Sequence, residues 1–226
     1  MTILAIDSAS RACSACVYDT DTHTKTFDFG DAELNHSETL LPSVLKCLRS
    51  AGKTIDDVDR IGITVGPGSF TGVKIGVAEA KGIAFPRRIP CAPVSSLCAL
   101  AQNAHGVNGL ICALLDARRN QFYNALFRCE NGKLTRLCDD RQIKSDELIR
   151  QINEPVFLIG DGAPLFAEAC LQAGKPYTLC AKEQELIDAR CVAQIAAETD
   201  TVSPEQLVPL YLRPSQAERI RLGIND

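Results

Sequence analysis

Histidine is scarce: His23, His36 and His105 are the three in 226 residues. A helical metal pair built on His36 would need a second ligand four residues on, where Leu40 stands. No metal site is expected. Long apolar runs are also missing; none approaches the roughly 20 residues of a membrane span. The first residues, Met1-Thr2-Ile3-Leu4-Ala5-Ile6-Asp7, lack the basic flank of a signal peptide and read as a buried strand. No membrane partner is expected. Nor is there an excess of positive charge. Lys and Arg number 24 against 28 Asp and Glu, net −4, a balance that does not draw a phosphate backbone over the whole surface. Arg87-Arg88, Arg118-Arg119 and Arg213/Arg219/Arg221 are the basic clusters and read as solvated surface. Asp56-Asp57 and Asp139-Asp140 read as turns, not as a catalytic carboxylate pair.

Cysteine, by contrast, is plentiful. There are 11, an odd number, with Cys13 and Cys16 the one close pair and no histidine at finger spacing. Positions three apart on a strand face opposite ways. The cysteines therefore read as reduced, small hydrophobic residues in a cytoplasmic chain. Hydrophobic residues at 46% and charged residues at 23% are the averages of a globular protein.

The order of patterns reads strand, strand, strand, helix, strand, helix. Thr2–Asp7, Ala12–Asp19 and His23–Phe29 form a meander, and Arg60–Val65 is the next strand. A helix is expected over Thr39–Ala51, capped by Thr39, because Pro42 discourages an earlier start. Leu40, Leu41, Val44, Leu45 and Leu48 share its broad apolar face. A second helix runs from Ser69/Phe70 to Phe85, with Ser69 as cap. It has two apolar faces, Gly72/Gly76/Glu79/Ile83 and Val73/Val77/Ala84, with Lys74, Lys81 and Phe85 at the edge. Such a helix packs on both sides, against its own sheet and either a neighbour or a partner chain.

The pattern then restarts. Ile89–Val94 is a short segment and Ser95–Asn103 a helix; Gly109–Asp116 is another apolar strand ending in aspartate. Gln121–Cys129 and Lys133–Cys138 complete a second meander. Ser145–Gln151 (capped by Ser145), Pro155–Ile159, Ala163–Ala173 and Gln184–Thr199 follow as helix, strand, helix, helix. The tail containing Tyr211-Leu212-Arg213-Pro214 reads as polar and loose. No repeat has a solenoid period. A duplicated βββαβα unit is a mixed-sheet α/β fold, the plan of the actin, hexokinase and Hsp70-like (ASKHA) superfamily. Two subdomains are expected, 1–104 and 105–226, divided near Asn103–Asn108.

Gly66-Pro67-Gly68-Ser69-Phe70-Thr71-Gly72 joins a strand end to a helix start. It is not a Walker A loop, a dinucleotide loop or a nucleophile elbow, because Thr71 stands where each needs another residue. It reads as a tight turn or an anion site at a helix N-terminus. Asp7-Ser8-Ala9-Ser10 and Asp116-Ala117-Arg118-Arg119 end the two equivalent strands. Facing each other, they would orient a phosphate or a metal-bound water; taken singly they are turn chemistry. Gly160-Asp161-Gly162 is either a turn or an approach to an adenosine.

Taken together, Leu4–Ser10, His36-Ser37-Glu38-Thr39-Leu40-Leu41-Pro42, Gly66–Gly76, Ala80-Lys81-Gly82-Ile83-Ala84 and Asp116-Ala117-Arg118-Arg119 resemble the TsaB (YeaZ) family. The later residues add Tyr211-Leu212-Arg213. The resemblance implies a non-catalytic sibling of a TsaD-like transferase. With that catalytic subunit and a TsaE-like ATPase, it would help move threonylcarbamoyl from threonylcarbamoyl-adenylate to N6 of the adenosine next to the tRNA anticodon. The complex uses ATP; no cofactor is assigned to this chain, and tRNA would be met through the complex. The sibling's His-x-x-x-His metal pair is reduced here to His36 and Leu40. The family's dimerisation surface maps to Leu40, Leu41, Val44, Leu45, Leu48, Gly72, Ile75, Gly76 and Glu79, which would also make a homodimer of the chain alone. A degenerate nucleotide cleft would use Asp7, Ser8, Ser10, Asp116 and Arg118. Two other readings stand beside it: an autonomous ATP-dependent enzyme of the same fold, for example a small-molecule kinase, with Asp7 as base or metal-water ligand, and a peptidase using Ser69 or Cys91.

Overall fold

The computed structural model describes residues 1–30, 35–212 and 221. Strand β1, Thr2–Asp7, is buried along its whole length. It pairs antiparallel with β2, Ser14–Asp19, which pairs with β3, Thr24–Phe29. Helix α1, His36–Ser50, leads to β4, Arg60–Gly66, parallel to β1. Helix α2, Phe70–Ala84, leads to β5, Cys91–Ser95, parallel to β4. The sheet order is β3-β2-β1-β4-β5.

Helix α3, Ser96–Gln102, carries the chain into the second unit. There β6, Gly109–Asp116, pairs antiparallel with β7, Gln121–Glu130. The far end of β7 pairs with β8, Lys133–Arg136, and its near end with β9, Arg141–Lys144. Helix α4, Ser145–Gln151, strand β10, Val156–Ile159, helix α5, Ala163–Gln172, and strand β11, Tyr177–Leu179, complete it. The order β11-β10-β6-β7-β8 repeats the first sheet strand for strand, with the same parallel and antiparallel senses. The duplicated α/β plan expected from the sequence is the architecture observed.

A last helix, α6, Ala189–Glu198, returns to the first sheet and packs on β1, β2 and β4, and on α3. The strands of the first sheet end at Ser95 and those of the second begin at Gly109, while α6 packs on the first sheet. Helices α1 and α2 pack on the first sheet and α4 and α5 on the second; α3 packs on both sheets, and α6 on the first sheet and on α3. Both ends of α6 are pinned. Ser14 Oγ donates to the Ile187 carbonyl and accepts from the Ala189 amide, each at 3.0 Å. Arg60 Nη1 donates to the carbonyls of Ala196, Ala197 and Thr199 at 2.6, 3.2 and 3.1 Å, meeting the orphan carbonyls of the helix end.

Several expectations need correction. Helix α1 starts three residues earlier than Thr39; Asn35 is its N-cap and its carbonyl takes the Glu38 and Thr39 amides. Pro42 is tolerated inside because it and Glu38, the residue whose carbonyl it leaves free, are both exposed. Helix α4 has Lys144, not Ser145, as N-cap. Strands β9 and β11 were not expected, and α6 begins at Ala189 after a separate 3-10 turn over Lys182–Glu185. The tail is not loose through Leu212. Leu207 is buried, Val202 bridges to Cys91, and the Leu210 amide donates to the Val65 carbonyl at 2.7 Å. Arg213, Pro214 and Arg219 lie outside the described residues.

Gly62 of β4 marks the closest approach of α6: a Cβ there would lie 2.5 Å from Ala196 Cβ. Gly82 of α2 is exposed, and nothing lies within 4 Å of the equivalent position. Urea unfolding should therefore separate two identical substitutions. Gly62→Ala is expected to cost about 1–3 kcal/mol by overpacking, and Gly82→Ala to gain about 0.5–1 kcal/mol from helix propensity.

Candidate docking face and closed cleft

Asp7 and Asp116 end the equivalent strands β1 and β6, on the carboxyl side of the parallel strands, where open α/β sheets place ligands. Asp7 is fully buried. Its Oδ1 accepts from Thr64 Oγ1 at 2.6 Å and from the Ala9 amide at 3.1 Å, and its Oδ2 from Ser10 Oγ at 3.2 Å. Ser8 Oγ donates to the Gly72 carbonyl at 2.8 Å. His36 Nε2 donates to the Ser10 carbonyl at 2.9 Å. The polar atoms of this turn are thus matched with one another.

The glycine-rich loop closes the turn from above. A Cβ at Gly68 would lie 2.5 Å from the Ala9 carbonyl oxygen, and one at Gly72 would lie 2.1 Å from the Ser8 carbonyl oxygen. The Ser69 amide donates to the Ala9 carbonyl at 2.9 Å, and Ser69 Oγ caps α2 by accepting the Gly72 amide at 3.2 Å. Ser69 thus caps α2, and the loop lies directly on Ser8 and Ala9 as a tight turn. The tail crosses behind it, with Tyr211 stacked on Phe70 at 4.7 Å between ring centroids.

In the second unit the Asp116 amide donates to Asp161 Oδ1 at 3.0 Å, and Asp116 Oδ1 accepts the Arg118 amide at 2.7 Å. Gly160 presses on β6, where a Cβ would lie 2.1 Å from the Leu114 carbonyl oxygen. Gly160-Asp161-Gly162 is thus a turn packed on its own sheet. The Arg118 head is 3.6 Å from Asp116 and almost fully exposed. The expected nucleotide residues do sit at matching strand ends. Asp7, Ser8 and Ser10, however, are engaged inside the fold, so they do not make an open phosphate or metal-water cradle. Ser69 is a helix cap, and Cys91 is buried with its thiol pushed up to about 11 by that burial. Neither is placed as a nucleophile.

The surface expected from α1 and α2 divides sharply. Leu40, Val44 and Leu48 are 0%, 1% and 5% exposed, and Gly72 and Gly76 are buried. These five face this chain's own sheet and leave the list of surface residues. Gly76 packs against Ser8 and Ile63, with Ser8 Oγ 2.1 Å from where its Cβ would be. Leu41 and Leu45 are 45% and 43% exposed on α1. Ile75, Glu79 and Ile83 are half-buried on α2, beside exposed Thr71, Ala78 and Gly82. The outward face thus joins two exposed leucines to a helix stripe of small residues and isoleucine. The sequence showed the apolar residues but not which stripe the sheet would take.

Comparisons with known proteins were made on this footing. Residues 30–214 match the family model described as "TsaD: tRNA N6-adenosine threonylcarbamoyltransferase". The "tRNA threonylcarbamoyladenosine biosynthesis protein TsaB" of Bacillus subtilis is 32% identical over 222 residues, covering 96% of each chain. The protein of that name in Escherichia coli is 31% identical over 227 residues, again covering 96% of each. Among solved structures, YeaZ from Pseudomonas aeruginosa superimposes with a TM-score of 0.77 at 26% identity, covering 93% of this chain and 99% of that one. A second Pseudomonas aeruginosa structure, described as similar to peptidase YEAZ, reaches 0.80 at 28% identity, covering 94% and 99%.

Burial raises the Asp7 carboxyl from 3.8 to about 6, against the bonds from Thr64, Ala9 and Ser10 and the nearby His36, which lower it. The stability that protonated Asp7 gives is complete below about pH 4 and is lost as pH rises through about 6. Wild type and Asp7→Asn should therefore be compared by denaturant unfolding from pH 4 to 8. The wild type's stability relative to the variant is expected to fall by about 3 kcal/mol over that range. A flat difference would show that Asp7 ionises freely.

Proposed function

The chain belongs to the TsaB family of tRNA threonylcarbamoyladenosine biosynthesis proteins, and from that premise we propose that it is a non-catalytic accessory subunit. In this reading it docks on a TsaD-like catalytic subunit. The assembly transfers threonylcarbamoyl from threonylcarbamoyl-adenylate to N6 of the adenosine next to the anticodon, with a TsaE-like ATPase and tRNA meeting the complex. The observation that carries it is the outward face of the two packed helices, with Leu41 and Leu45 exposed on α1 and Ile75 half-buried on α2. The closed Asp7 turn supports the same reading, because it leaves this chain no free catalytic carboxylate there.

Docking would act by differential binding. A surface that fits the catalytic subunit only in its competent arrangement raises the population of that arrangement. The same face accounts for a homodimer of the chain alone, since contiguous apolar patches seldom stay uncovered. No helix among the described residues is long and apolar enough to cross a membrane. The cytoplasm is the setting we assign, where tRNA is modified and the free thiols stay reduced.

Titration calorimetry with the TsaD-like subunit of the same cell tests the surface. Leu45→Glu places a charge at an exposed position, so the fold should survive. It is expected to weaken pairing by at least tenfold, about 1.4 kcal/mol or more. Unchanged affinity would remove α1 from the docking face.

A further inference from the structure

On the outward face of α2, one polar atom has no match. Glu79 is half-buried, and its Oε1 is out of contact with water and without a hydrogen-bond partner among the described residues. Burial pushes its carboxyl upward. Its neighbours one helical turn away are Ile75, Gly76, Gly82 and Ile83, none of which can donate from a side chain. The cations of α1 and α2 are already engaged. Lys46 pairs with Asp28 at 2.5 Å, and Arg49 Nε donates to the Leu45 carbonyl at 3.3 Å. Lys74 lies over the Phe70 ring at 4.0 Å, and Lys81 donates to the carbonyls of Glu205 and Leu207 at 3.3 and 3.1 Å. A carboxyl oxygen left without a partner in an apolar patch is costly, and more so when a docking protein removes the remaining water.

We propose that Glu79 sets the specificity of this face: it receives an arginine or lysine side chain of the catalytic subunit, and it disfavours a second copy of this chain. A second copy presents the same face, whose helix cations are bound elsewhere. To reach Glu79, those cations would have to be shared with, or drawn from, the contacts they already hold. A heterologous partner with one cation amid apolar residues meets both the charge and the patch. This inference rests on the docking reading above.

The test measures two affinities for each protein: pairing with the TsaD-like subunit by calorimetry, and self-association by sedimentation. Glu79→Gln keeps the shape and removes the charge. The ratio of heterologous to self affinity is expected to fall at least tenfold, with a flatter salt dependence of the heterologous pairing. An unchanged ratio, whether from no effect or from equal losses, overturns the role of Glu79. Leu45→Glu separates the two readings. If it abolishes pairing while Glu79→Gln leaves the ratio alone, the docking face stands and Glu79 does not select. If neither substitution alters pairing, the docking reading fails first. Should Glu79→Gln not fold, Glu79→Met supplies the same comparison.

Discussion

The packing of α6 on the first sheet and on α3 governs what the rest of the molecule can expose. Ser14 holds the start of that helix and Arg60 gathers the carbonyls at its end. Gly62 gives Ala196 the space to approach β4. Arg60 does this while its own Nε stays buried without a partner among the described residues, so the arrangement carries a cost that the capping bonds and the packing must exceed. One face of the first sheet is thereby committed to the interior. The helices on its other face, α1 and α2, are the ones left to present a surface.

The closed turn around Asp7 follows from a different constraint, the close approach of two backbones. Gly68 and Gly72 let the loop before α2 lie directly on Ser8 and Ala9. That contact brings Thr64, Ser10 and the Ala9 amide onto one buried carboxyl. A ligand reaching Asp7 would have to replace bonds that the fold already makes well. The fold therefore retains the strand ends of a ligand-binding architecture while using their polar atoms for its own cohesion. The outer helices carry the apolar residues that have no internal use, Leu41 and Leu45.

Strong local chemistry was legible in the sequence. Gly109–Asp116 and Ser145–Gln151 have the bounds their patterns suggested, and Ser69 caps α2 as expected. Elements whose reasons are tertiary were not legible. Strands β9 and β11 are short, and they exist because β7 and β10 offer them a partner. Helix α1 begins at His36 because the Asn35 carbonyl takes the first amides, a backbone effect that Thr39 obscured. The tail looks polar, yet Leu207 and Leu210 are fixed against the first unit. The outward face of α1 and α2 was half legible. Periodicity gathered the leucines of α1 into one broad stripe. Only the position of the sheet sends Leu40, Val44 and Leu48 inward and leaves Leu41 and Leu45 out. Periodicity places Glu79 in a stripe, but its lack of a partner for Oε1 among the described residues is a property of the packed surface.

The return of α6 to the first sheet also orders events in time. β1 leaves a ribosome early, but residues 189–198, which cover much of one face of its sheet, are made more than 180 residues later. Until then that face, which includes Ala5, Cys16 and Gly62, lacks the helix that shields it. Contacts of such long sequence separation form slowly, and exposed sheet faces invite association. The growing chain therefore passes through a stage at which its first unit has all its strands but only part of its cover. Nascent chains at that stage are the ones a chaperone would have reason to hold.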